Sequence, residues 1–155
     1  MQSGRISGAG TNFSLLSGKR RAADMTTGFA TRRIAEAPDA IAPDGSEVRL
    51  LGSSRNGSMA SFRLQPKTVS RAVAHRTVEE IWYFTAGTGR MWRKLGDREE
   101  IVEVAAGVSI TIPTGAHFQF RCDGGEALEA VAVTMPPWPG GDEAYAVPGK
   151  WEPMI

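Results

Sequence analysis

From Glu79 onward, apolar and polar positions alternate in short runs separated by turn residues. EEIWYFT leads into Ala86-Gly87-Thr88-Gly89, RMWRKL into Gly96-Asp97, and REEIVEV into Ala106-Gly107. VSITI, the turn Pro113-Thr114-Gly115, AHFQFRC, the turn Asp123-Gly124-Gly125 and ALEAVAVTM complete the series. A period of two along each run predicts strands, and turns at this spacing predict an all-β sandwich or barrel. Ile81 and Tyr83 oppose Trp82 and Phe84, so that run is apolar on both faces. This predicts a barrel whose outside is itself covered. No stretch longer than two turns has helical periodicity.

Upstream, RRIAE and EVRLL read as short β pieces parted by Pro43-Asp44-Gly45. Asn56-Gly57 between EVRLL and SMASFRL is a hairpin signal. In SMASFRL, Met59, Ser61 and Arg63 share one face, while Ala60, Phe62 and Leu64 share the other. Gln65-Pro66-Lys67 breaks the chain before His75. The ending, residues 136–155, is too rich in proline and glycine for a regular element. It is expected to run extended along the barrel, anchored by Trp138 and Trp151.

Residues 1–24 are rich in Gly and Ser, lack periodicity, and set Arg5, Lys19, Arg20 and Arg21 against Asp24 alone. They read as a disordered extension, with an organelle leader as the alternative and Met25 as a second candidate start. The domain is then 25–135, followed by the tail.

At 155 residues and a net charge of +1, the chain suits one domain and offers no general surface for nucleic acid or anionic membrane. Its longest uncharged run, 104–120, is interrupted by Gly107, Pro113 and Gly115 and is too short to span a bilayer. A cytoplasmic protein is expected. Cys122 is the only cysteine, which excludes an internal disulfide and a multi-cysteine zinc site.

Candidate chemistry gathers between His75 and Phe120, where both histidines lie. Here the residues resemble the cupin superfamily, small β-barrels with two motifs, G(X)5HXH(X)3–4E(X)6G and G(X)5PXG(X)2H(X)3N. Six residues separate Glu80 from Gly87, five separate Gly107 from Pro113, and Pro113-Thr114-Gly115 supplies PXG. The resemblance runs from Met59 to Met135. It implies an all-β cupin β-barrel (jelly roll, or double-stranded β-helix) that commonly pairs as a homodimer. It also implies a small-molecule site inside the barrel.

The ligand positions depart from the motifs. Val73 stands where the first histidine is expected, with His75 as the second and Glu80 as the carboxylate. Phe118 stands in the place of the third histidine, with His117 one residue early. Because a one-residue slip reverses the face, two registers are open. Either Phe118, Phe120 and Cys122 face inward, or His117, Gln119 and Arg121 do.

One reading is a metal site of His75, Glu80 and His117 holding Fe, Mn, Ni or Zn, with isomerase- or dioxygenase-type chemistry unassigned. The second is a metal-free pocket lined by Val73, Trp82, Phe84, Trp92, Phe118 and Phe120. In it His75 is a candidate general base. A third is a regulatory or ligand-binding barrel with a vestigial site, Glu80 then being ion-paired to Arg90 or Arg93.

Overall fold

The computed structural model describes residues 28–155. The expected extension and the choice between Met1 and Met25 lie outside the described residues. Among the described residues eleven strands run in chain order: β1 Ala40–Ile41, β2 Glu47–Ser53, β3 Ser58–Leu64, β4 Val73–His75, β5 Glu79–Ala86 and β6 Thr88–Leu95. Then come β7 Arg98–Ala105, β8 Ser109–Ile112, β9 His117–Cys122, β10 Leu128–Met135 and β11 Ala144–Ala146. The described residues contain no helix, and so none that could cross a membrane.

Two antiparallel sheets face each other. One has the order β1-β2-β3-β10-β5-β8 and the other β11-β4-β9-β6-β7. Alternation fixes which side chains meet between them. On β10, Leu128, Ala130, Ala132 and Thr134 are buried, while Glu129, Val131, Val133 and Met135 face partly outward. Trp82, Phe84, Phe118, Phe120, Leu64, Met91, Ile112 and Leu128 fill the space between the sheets. Burial of that apolar surface is the main force holding the layers together.

The predicted β2–β3 hairpin around Asn56-Gly57 is present, and β6 pairs with β7, whereas β5–β6, β7–β8, β8–β9 and β9–β10 each cross from one sheet to the other. RRIAE is not a strand. Its Ala35 and Glu36 carbonyls accept hydrogen bonds from the Arg49 guanidinium, so side-chain donors rather than a neighbouring strand satisfy this backbone. The tail is more regular than expected, since Ala144–Ala146 pairs with β4 through Ala144↔His75 and Ala146↔Val73. Among the described residues the outside of β5 is not covered, Ile81 being 45% and Tyr83 52% exposed.

Two glycines do specific work. Gly87 turns β5 into β6 at φ +75°, and a Cβ there would run into the Ala127 carbonyl. Gly115, at φ +78°, closes the Pro113–Ala116 turn, and its N–H donates to the His75 carbonyl at 3.0 Å. That turn sets the register of β9 and ties it to the backbone of His75.

Candidate functional site

The inner rows of the six-stranded sheet become polar at one end of the barrel. Register aligns Ser58 with Thr134 and Thr134 with Glu80 across β3, β10 and β5. The Ser58 and Thr134 hydroxyls lie 2.6 Å apart. Glu80 is 3% exposed, and its Oε2 accepts the Trp82 Nε1–H at 2.8 Å. From the opposite sheet, β4 brings in His75, 5% exposed, with its ring edge-on to Phe118 and Trp138 at 5.2 Å. Trp138 is half-buried, and its backbone N–H donates to Ser58 Oγ at 2.8 Å. The tail thus lays an indole across the barrel mouth.

His75 Nδ1 is buried without a hydrogen-bond partner, 3.8 Å from Glu80 Oε2. That separation is too long for a hydrogen bond. Burial lowers the His75 pKa to about 4, against a smaller opposing pull from Glu143, so the imidazole is neutral near pH 7. Burial also raises Glu80 to about 7, with the Trp82 hydrogen bond working against the rise and Asp44 adding to it. A neutral imidazole beside a half-protonated acid is a polar gap, not an ion pair.

Glu143 anchors the strap behind the site. Its carboxylate accepts from the Thr77 N–H at 2.6 Å, the Thr77 hydroxyl at 2.9 Å and the Val78 N–H at 2.9 Å. Burial pushes its pKa up, but those bonds outweigh it and hold Glu143 below the ordinary carboxylate range. The strap is therefore fixed near both ends, at Ser58 and at Thr77–Val78.

The structure brings together His75, Glu80, Trp82, Val73 and Phe118. Val73 pairs with Phe118 in register, and both belong to the core. Phe118, Phe120 and Cys122 face inward, which settles the open register. His117 does not join His75 and Glu80. It lies across from Lys94, on the outer face by alternation. Gln119, on that same face, is buried under the tail, accepting from Lys150 N and Trp151 N and donating to Ser70 O and Trp151 O.

Trp92 also departs from the expected lining. It pairs with Gln119 and donates to Glu99 Oε1 at 2.8 Å, while its neighbour Met91 takes the core position. Phe84 and Phe120 are close-packed core rather than walls of a hollow, with Trp82 stacked on Phe62 at 4.9 Å. Glu80 pairs with neither Arg90, which binds Asp123, nor Arg93, which binds Glu100.

A divalent ion fits this donor set poorly. Val73 and Phe118 occupy two ligand places, leaving His75 and Glu80 as protein donors. Among the described residues no group of three or more His, Cys, Asp or Glu could hold a metal. Buried transition-metal sites ordinarily draw three or four protein ligands.

Ser58, Thr134 and Trp138 were not singled out as site residues from sequence. Ser58 is in phase with Ala60 and Phe62, and Thr134 with Ala130 and Ala132, so alternation carried that signal. Trp138 lies in a proline-rich tail, whose path alternation does not encode.

The model of the cupin domain matches residues 60–134. No curated protein sequence matches the chain. Among solved structures, oxalate decarboxylase from Bacillus subtilis is 17% identical with TM-score 0.62, over 80% of this chain and 34% of that one. This chain thus spans about a third of that enzyme. Streptomyces PAC13, solved with uridine, is 13% identical with TM-score 0.59, over 77% of this chain and 92% of that one. A conserved protein with a double-stranded β-helix domain from Klebsiella pneumoniae is 12% identical with TM-score 0.55, over 80% and 99%. With the matched domain covering β3 through most of β10 and two facing antiparallel sheets enclosing one core, the chain belongs to the cupin superfamily.

Proposed function

We propose that this cupin binds a small organic molecule at the mouth of its barrel, between His75 and Glu80 and beneath Trp138, without a resident metal. The observation that carries this reading is the buried, unpartnered Nδ1 of His75, 3.8 Å from Glu80 Oε2. A buried polar atom without a partner costs about 1–3 kcal/mol, which a bridging ligand atom recovers. One atom within hydrogen-bond distance of both groups fits a gap of this width. Near neutral pH His75 accepts a proton-bearing group, and Glu80 either donates or accepts. The pair is thereby suited to holding a polar group and to moving a proton across it, with Glu80, near 7, rather than the expected His75, near 4, as the stronger base. Trp138, Phe118 and Trp82 supply the apolar walls.

The homodimer implied by the resemblance is kept as part of this proposal. Its mass in solution, by light scattering, is expected at about twice 16.6 kDa.

Metal retention tests the reading. Tag-free protein is incubated with Fe(II), Mn(II), Ni(II) or Zn(II), desalted and analysed for metal. The proposal expects less than stoichiometric retention, unchanged by His75→Ala. Stoichiometric retention that His75→Ala or Glu80→Gln abolishes would restore the metal centre.

A further inference from the structure

We infer that the molecule held between His75 and Glu80 is an organic cation, a small primary ammonium, rather than an alcohol or a carboxylate; this rests on the reading of the mouth as a small-molecule site. The charged groups acting on the pair are acids. Glu143 precedes Ala144, the register partner of His75, and its charge acts on His75, while Asp44 acts on Glu80. Glu143 is held ionised by its three hydrogen bonds. Asp44 is buried and bonded to the Ser46 hydroxyl and N–H.

The basic side chains closest in sequence are directed elsewhere. Arg76 lies over the Tyr145 ring, donates to Asp142 O and pairs with the Asp142 carboxylate. Arg71 is exposed and acts on Asp44. A carboxylate entering the mouth would therefore meet these acids while Arg76 and Arg71, among the described residues, are engaged elsewhere.

The acids alone would be a weak argument. The independent observation is His75, nineteen-twentieths buried, with an acceptor-capable nitrogen that no described residue satisfies, 3.8 Å from Glu80 Oε2. An ammonium group has three N–H donors and no acceptor. It gives one N–H to Nδ1, one to Glu80, and turns its positive charge toward Glu80 and Glu143. The rings of Trp138 and Phe118, both packed against His75, accept the alkyl part. An alcohol can make the same bridge but brings no charge.

The test compares n-propylammonium, 1-propanol and propanoate at equal concentration and ionic strength. Binding is read from the Trp138 indole N–H resonance, assigned with Trp138→Phe. The inference expects n-propylammonium to bind about tenfold tighter than 1-propanol and propanoate to shift nothing. Its binding should tighten as pH rises from about 6 to about 8, because the cation favours ionised Glu80 and releases its proton. Glu80→Gln and His75→Gln, each checked for a folded spectrum, should both abolish the preference for the ammonium. Equal or tighter binding of 1-propanol or propanoate at Trp138 would overturn the cation and leave the small-molecule site standing. An ammonium shift that persists in both variants places the probe elsewhere and overturns the inference. Silence from all three probes would overturn the inference and count against the small-molecule reading as well.

Discussion

His75 and Glu80 are both buried, yet burial pushes their proton affinities in opposite directions. Glu80 moves from 4.5 to about 7. Between those values the folded state holds a proton that the unfolded state has lost, so stability falls as pH rises. His75 moves from 6.5 to about 4. Between those values the unfolded state binds the extra proton, so stability falls as pH drops. Each effect amounts to about 3 kcal/mol across its window, and they nearly cancel where the windows overlap. Glu80→Gln should therefore expose stability that rises from about pH 4 to about pH 6.5, as the His75 contribution is gained. His75→Phe should expose the reverse, a fall from about pH 4.5 to about pH 7. Urea midpoints across pH check both; flat profiles in both variants would mean the groups titrate normally.

Elements place this pair. The Pro113–Ala116 turn decides that β9 offers Phe118 rather than His117 to the interior, and Phe118 is core at both its ring and its backbone pairing. Phe118→Ala should cost about 3–5 kcal/mol by denaturant unfolding, as a large buried aromatic does. His117→Ala, on the outer face, should cost under about 0.5 kcal/mol. Comparable losses from the two variants would reverse the assignment of faces. The strap is the second placing element. Glu143→Gln keeps the shape but removes the charge from the bonds to Thr77 and Val78. It should speed hydrogen exchange at those amides relative to the core strands.

At the scale of the molecule, the barrel could be read because alternation and turn residues are local signals. EEIWYFT, RMWRKL, REEIVEV and ALEAVAVTM became β5, β6, β7 and β10, and Gly87 turns where a left-handed glycine was needed. Gly87→Ala should destabilise by more than about 1 kcal/mol, since it combines a positive φ with a backbone collision. An unchanged melting temperature would contradict that. The site was legible only in part. The pairing of His75 with Glu80 was implied by the resemblance to the cupin motifs, but the face taken by His117 depended on one residue of turn geometry. Trp92 is no part of the lining: it is buried on the outer face of β6, opposite Gln119, although Thr88 and Lys94 on that face are exposed, and alternation alone does not reveal burial on an outer face. Trp138 reaches the mouth through a long excursion after β10, and no local pattern specifies where such an excursion lands.

In the proposed function His75 and Glu80 form a metal-free polar gap in which His117 takes no part. Long-range 15N–1H spectra of the two imidazoles test it directly, because the chain has only two histidines. His117→Ala assigns the pair. His75 is expected to be neutral at pH 7 and to gain its proton near 4, with one equivalent of Zn(II) leaving its nitrogen shifts unchanged. Coordinated shifts of both His75 and His117 on adding one equivalent of Zn(II) would contradict it.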